Sequence, residues 1–102
     1  MLTNKESVYL VYDNTVDLVL TSNDKPVNLT DVTRMTIAFG DLTIDSTSSS
    51  DVFDWSEGDG KLSLALGQEA IPVANYLARL IVYDSSNTNG IVWGNVPIRV
   101  KE

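Results

Sequence analysis

The chain of 102 residues contains no cysteine and no histidine. Without cysteine, disulfide bridges and thiolate metal sites are excluded. Without histidine, the chain lacks the commonest general base, the histidine-based catalytic triads and imidazole metal ligands. The covalent options that remain are Ser, Thr, Lys or a carboxylate, and a carboxylate pair could still support catalysis, since 14 acidic residues are present. They lie mainly at predicted turns and on the polar sides of predicted strands, so we expect no enzyme, no catalytic residue and no cofactor.

Positive charge is also scarce, because 7 basic residues face 14 acidic ones and leave a net charge of −7. No two basic residues are adjacent in the sequence. Nucleic-acid affinity comes largely from neutralising phosphates with Lys and Arg, and an anionic membrane attracts the same side chains. We therefore expect neither nucleic acid nor membrane as a partner.

Long hydrophobic runs are missing as well. No stretch approaches the ~20 apolar residues that a transmembrane helix needs, and residues 1–7 include Glu6 and no apolar run of the kind a signal peptide carries. We expect a chain without a signal peptide that folds in a cytoplasm. Its length fits one domain, residues 1–102.

What the chain does contain is a two-residue alternation of apolar and polar side chains, which is typical of half-buried β-strands. The alternating segments are residues 16–20, 34–39, 41–45, 61–66 and 96–101, and other strand-like runs are residues 7–12, 52–55 and 76–83. Turn-forming residues separate them at 13–14, 22–26, 40–41, 46–51, 57–60 and 85–90. This pattern predicts an all-β, antiparallel β-sandwich of about seven or eight short strands.

Two segments do not follow the alternation. Residues 68–74 are predicted to form either one helical turn or a crossover between sheets. Residues 28–32 are predicted to form a tight turn whose Leu29 enters the core.

Calcium is the metal that best suits an oxygen-rich chain, and residues 54–60 superficially resemble a calcium-binding loop. That loop needs Gly at its sixth position and Glu at its twelfth. Counting from Asp54, these positions hold Asp59 and Ala65, so we interpret the segment as a turn and predict no metal site. A site shared between loops by Asp13, Asp24 and Asp84 has no positive support.

The last strand carries the best candidate for an interface. Trp93 alternates with Asn95, Pro97 and Arg99, so without a bulge it would be the one large apolar residue on a polar face. Pro97 favours an edge strand, because proline cannot donate a ladder hydrogen bond. An edge strand with an exposed Trp suits pairing with another chain. We predict that Trp93, Asn95, Pro97 and Arg99, with the hairpin tip at residues 85–90, contact partners.

The order of several motifs resembles a known family. A Thr-rich apolar strand at residues 14–21 is followed by a turn ending in Lys25-Pro26-Val27 and by the corner Asn28-Leu29-Thr30. Then come Gly60-Lys61-Leu62-Ser63-Leu64, the pair Asn75-Tyr76 and a closing strand at residues 96–100. This order is similar to the immunoglobulin-like N-terminal domain of bacteriophage baseplate upper proteins, over residues 8–101. Asp31 and Asn75 stand where that family commonly has Gly.

The resemblance implies an immunoglobulin-like fold and a phage or prophage structural component of the tail, baseplate or head, located in the virion after assembly in the bacterial cytoplasm. Its partners would be other virion proteins or copies of itself, as a homo-oligomer. The main alternative is a module that binds carbohydrate or a cell-surface ligand through Trp55 and Trp93. A third hypothesis is an intracellular inhibitor or adaptor that pairs its edge strand with a partner.

Overall fold

A computed structural model of the chain describes residues 6–13, 15–22, 24–56 and 58–102. These residues form strands, turns and bends and contain no helix, which confirms the predicted all-β class. The strands are β1 (Glu6–Tyr9), β2 (Val16–Val19), β3 (Thr21–Ser22), β4 (Lys25–Pro26), β5 (Val32–Phe39), β6 (Leu42–Asp45), β7 (Phe53–Trp55), β8 (Lys61–Leu64), β9 (Ala74–Asp84) and β10 (Ile91–Lys101). The predicted turn residues Asn14, Asn23 and Glu57 lie outside the described residues.

Eight of these strands form two sheets, in agreement with the predicted number. The larger sheet has the order β1-β10-β9-β5-β6 and the smaller one the order β2-β8-β7, while β3 and β4 form a separate two-residue ladder. All pairs are antiparallel except β1 and β10, which run parallel with Val8 opposite Val100. The prediction of a purely antiparallel sandwich is wrong at this pair. A parallel pair needs a long connection, and here everything between the first and last strands supplies it.

The alternation in the sequence explains how the two sheets pack. On β2 the side chains of Val16 and Leu18 are buried while Asp17 and Val19 are exposed. The inner faces of both sheets contribute to one cluster of buried apolar side chains. The cluster includes Leu29, which is 1% exposed, so its predicted entry into the core is confirmed. The outer faces of the two sheets therefore point to opposite sides of the molecule.

The connection between β8 and β9 crosses from one sheet to the other. It contains no helical turn, so the crossover alternative for residues 68–74 is the correct one. Gly67 fixes its position, because a Cβ there would lie 1.9 Å from the carbonyl oxygen of Tyr12. The Gly67 carbonyl accepts a hydrogen bond from the Val11 backbone N–H at 2.7 Å. The crossover is thus held tightly against the loop that follows β1.

The hairpin tip between β9 and β10 is ordered by one carboxylate. Asp84 Oδ1 accepts hydrogen bonds from the backbone N–H groups of Ser86 at 2.9 Å and Asn87 at 2.7 Å. Gly90 closes the tip with a φ of 87°, and a Cβ at this position would lie 2.7 Å from the ring of Tyr83. Side-chain capping and a left-handed glycine together give the predicted turn at residues 85–90.

Candidate functional site

The outer face of the larger sheet brings together most of the residues predicted to form an interface. Strands β9 and β10 are its two longest, with 11 residues each. Asn95, Pro97 and Arg99 of β10 lie on this face, opposite three residues of β9. The pairs are Asn95–Arg79, Pro97–Leu77 and Arg99–Asn75. Their role as contact residues remains a prediction, but their common face is established.

Trp93 does not lie where alternation alone would put it. The register of β10 against β9 shifts by one residue between Val92 and Gly94, which makes Trp93 the extra residue of a β-bulge. Trp93 is partly buried and packs against the core. Because β10 contains this bulge, Trp93 does not lie on the face of Asn95, Pro97 and Arg99. The bulge instead turns Val92 outward, opposite Ile81.

The edge position inferred from Pro97 is also wrong, because β10 lies between β9 and β1. Pro97 is one residue before Ile98, where the described pairing with β1 begins at Glu6. A residue without an N–H is tolerated at such a boundary, where the ladder on that side starts. The strands at the edges of this sheet are β1 and β6.

Apolar side chains lie at two places on the outer face, one on each side of the pair Arg79–Asn95. Leu77 is 71% exposed and Val92 is 56% exposed. Partly buried Ile81 lies opposite Val92. This face also contains a shallow depression of ≈ 280 Å³, which is lined by Ala38, Gly40, Leu77, Arg79 and Asn95. The face thus presents exposed apolar surface on a hydrogen-bonded and rigid strand pair.

Basic side chains lie between and beside these apolar positions. Arg79 and Arg99 are exposed, and Lys101 is partly buried at the end of β10. Arg99 donates a hydrogen bond from Nε to Asn75 Oδ1 at 2.9 Å, and the Lys101 ammonium lies 5.4 Å from the centre of the Tyr9 ring. Both contacts hold a cation in a defined place, and neither partner carries a negative charge.

One acidic residue lies on this face among the described strand residues, and it is already paired. Asp45 of β6 accepts hydrogen bonds from Nε and Nη2 of Arg34, whose guanidinium carbon lies 4.4 Å from the centre of the Tyr83 ring. The Arg34 hydrogen bonds lower the pKa of the Asp45 carboxyl to about 2, and a hydrogen bond from the Thr47 backbone acts in the same direction. The remaining cations therefore give the face a net positive charge on an acidic chain.

The contribution of β9 to this surface was missed by the sequence analysis. Residues 76–83 are apolar at most positions, so Leu77 looked like part of a strand buried on both sides. The cations Arg79, Arg99 and Lys101 looked scattered because they are far apart in sequence. The available signal was their odd numbering along two predicted neighbouring strands, which puts Arg79 on one face of β9 and the pair Arg99 and Lys101 on one face of β10.

A second exposed apolar feature lies in the loop that directly follows β1. Val11 and Tyr12 are 74% and 61% exposed, and Val11 has a φ of 64°. That conformation is rare for a β-branched residue. Leu10, Val11 and Tyr12, with Glu102, line a depression of ≈ 370 Å³. The feature is small and lies at the end of the larger sheet, where the Leu10 N–H donates a hydrogen bond to the Lys101 carbonyl at 2.9 Å.

The described residues contain no group of three or more acidic side chains close enough to hold a metal ion. No helix long and apolar enough to cross a membrane occurs in this part of the chain. Comparison with protein-family models gives no match, and no curated protein matches the sequence. The function is therefore argued from the surface itself.

Proposed function

We propose that the protein is a non-enzymatic docking module that binds other proteins through the outer face of its larger sheet. The observation that carries this proposal is the exposure of two apolar residues on that face, Leu77 at 71% and Val92 at 56%. Protein interfaces combine apolar contacts with polar ones, and Arg is enriched in them. Here the pair Arg79–Asn95 lies between the apolar pairs Leu77–Pro97 and Ile81–Val92.

The construction of the face supports docking over enzymatic or small-molecule roles. Its depression of ≈ 280 Å³ is open and shallow, whereas small-molecule sites are concave and bury most of the ligand. β9 and β10 pair over nearly their whole length, so few side chains and no loops need to be ordered on binding. Such preorganisation lowers the entropic cost of association.

In its finer form, the proposal is a structural or assembly module of a phage or prophage virion, with an immunoglobulin-like sandwich. The support is the motif order that resembles baseplate upper proteins, together with an all-β sandwich in which a rigid sheet face is open for contact. The partners would be other virion proteins or copies of the chain, with neither nucleic acid nor membrane involved. The tail, baseplate and head are equally compatible with this surface.

The alternative of a carbohydrate-binding module has less support. It relies on Trp55 and Trp93 standing together on one face, as aromatic platforms for sugars require. Trp55 belongs to the smaller sheet and Trp93 to the larger one, and both pack against the core.

The proposal is tested by asking whether the chain enters particles and by which surface. Virus-like particles are purified from cultures of the organism that encodes the chain, and mass spectrometry measures the chain they contain. We expect the wild-type chain in the particles and a large loss of incorporation for Leu77→Asp. The matched control is Val11→Asp, because Val11 is equally exposed at 74% but lies outside the sheet face. Absence of the wild-type chain from particles, or equal incorporation of both variants, would contradict the proposal.

A further inference from the structure

The two outer faces of the sandwich carry opposite charge. On the larger sheet, Arg79, Arg99 and Lys101 form no ion pair with any acidic group among the described residues. On the smaller sheet, Asp17 and Asp54 both lie opposite Ser63 in the middle strand, so the three form one row across the sheet. Asp17 accepts a hydrogen bond from Ser63 Oγ at 2.7 Å, and Asp54 is exposed.

Each face also exposes apolar surface beside its charges. Val19 of β2 is 45% exposed on the acidic face, next to Lys61 of β8. Lys61 is itself compensated in part by Asp59, whose carboxylate lies 3.7 Å from its ammonium. Leu77 and Val92 are the corresponding apolar residues on the basic face. The two faces are thus complementary in charge, and both expose apolar side chains.

A symmetric contact between two basic faces is disfavoured, because Arg79 and Arg99 of one copy would face a surface that carries the same positive charges. Like charges brought together at an interface cost several kcal/mol. A two-fold dimer through this face is therefore the wrong geometry. A head-to-tail contact has no such conflict, since the basic face of one copy meets the acidic face of the next.

We propose that the occupant of the basic outer face is a second copy of this chain, bound through its smaller sheet. The contact joins Arg79 and Arg99 of one copy to Asp17 and Asp54 of the next. This inference rests on the proposed function, of which it names the partner. Because the contact is heterologous, a dimer of two copies keeps one free basic face and one free acidic face, and repetition gives a ring or an open stack.

Salt affects this association in a specific way. The net charge of −7 makes copies repel each other at long range, but physiological salt screens that repulsion beyond about 8 Å. Contact pairs within the interface are screened less, and molar salt weakens them in turn. Association should therefore be strongest at intermediate ionic strength.

The test is light scattering during size exclusion over a concentration series from micromolar to millimolar. We expect wild-type mass to rise with concentration. The double variants Arg79→Gln/Arg99→Gln and Asp17→Asn/Asp54→Asn should each lower the association constant at least about tenfold. Lys25→Gln removes an exposed cation that lies on neither face, so it should leave the association constant unchanged. A mixture of the two double variants should form a dimer that does not grow, because together they retain one intact pair of faces.

A wild-type chain that stays monomeric at every concentration overturns the inference, as does a mixture of variants that fails to associate. Failure here is distinguishable from failure of the proposed function. If the chain is monomeric and Leu77→Asp still blocks incorporation into particles, the basic face docks on a different protein. If Leu77→Asp incorporates normally, the docking proposal itself is wrong.

Discussion

Leu77 and Pro97 are paired across β9 and β10 on the outer face of the larger sheet, where Leu77 leaves 71% of its surface exposed to solvent. Pro97 stiffens one strand, and the ladder fixes the other. A large apolar side chain held on a rigid face contributes little to folding, because it is already in water in the folded state. Its presence is better explained by a contact outside the molecule.

Leu77→Asp should therefore leave the fold intact. We expect the free energy of unfolding to change by less than about 0.5 kcal/mol, as for other exposed positions, while docking is lost. Urea unfolding followed by fluorescence measures this change. A loss of several kcal/mol would mean that Leu77 packs within the protein and that its effect on docking cannot be separated from folding.

Trp93→Ala should instead destabilise the protein. The bulge turns Trp93 toward the core, where it is partly buried, and removing a large side chain from such a site leaves a cavity. We expect a loss of about 2–3 kcal/mol, somewhat below the cost for a fully buried aromatic residue. Trp93→Phe, which keeps most of the volume, should cost about half as much. An unchanged unfolding midpoint for Trp93→Ala would contradict the inward placement of this side chain.

Gly67→Ala tests the crossover that holds the loop after β1. The added methyl group would lie 1.9 Å from the Tyr12 carbonyl oxygen, so the backbone must move. We expect a loss of about 3 kcal/mol in thermal or urea unfolding. Gly94→Ala is the control, because a Cβ at Gly94 has no atom within 4 Å and should be tolerated within about 1 kcal/mol. Equal effects of the two substitutions would argue against the close approach of residues 67 and 12.

Acid should weaken the contact between β5 and β6. The hydrogen bonds from Arg34 lower the pKa of Asp45 to about 2, from an ordinary value of 3.8. The folded state therefore favours the ionised carboxylate, and this stabilisation is present at neutral pH and lost as the pH falls from about 4 toward 2. Because the Arg34 side chain is 40% exposed, solvent screening keeps this contribution small.

Asp45→Asn should remove that part of the pH dependence of unfolding, whereas Asp41→Asn, in the turn of the same hairpin, should keep it. The measurement is the free energy of unfolding by urea at several pH values between 2 and 7. An identical pH dependence in wild type and Asp45→Asn would show that the pair contributes nothing in solution.

Local alternation predicted the strands of the two sheets and most of their inward residues, whereas β4 (Lys25–Pro26) lies in the segment 22–26 that was predicted as a turn. Val16 and Leu18 illustrate the alternation, because a two-residue period directly specifies the buried side of a strand. The bulge at Trp93 was not predictable in this way, because it is a feature of the pairing with β9. One extra residue reverses the sheet face on which the preceding residues of the strand lie. The facing of Asn95, Pro97 and Arg99 lies beyond the bulge and was predicted correctly.

Pairing between distant strands was also beyond local reasoning. The position of β10 inside the sheet depends on its parallel partner β1, from the other end of the chain. The basic face depends on the register that pairs Arg79 with Asn95. This pairing puts Arg79 on the same sheet face as Arg99 and Lys101. Neither relationship leaves a signal within a short window of sequence.

The most direct test of the docking surface uses the absence of cysteine from the chain. Leu77→Cys and Val11→Cys each introduce one thiol at a site of similar exposure, and maleimide labelling rates are compared for the free chain and for purified particles. We predict that assembly slows labelling at position 77 at least about tenfold while position 11 stays reactive, because docking excludes water from the centre of an interface. Equal labelling of position 77 in free and assembled chains would contradict the account.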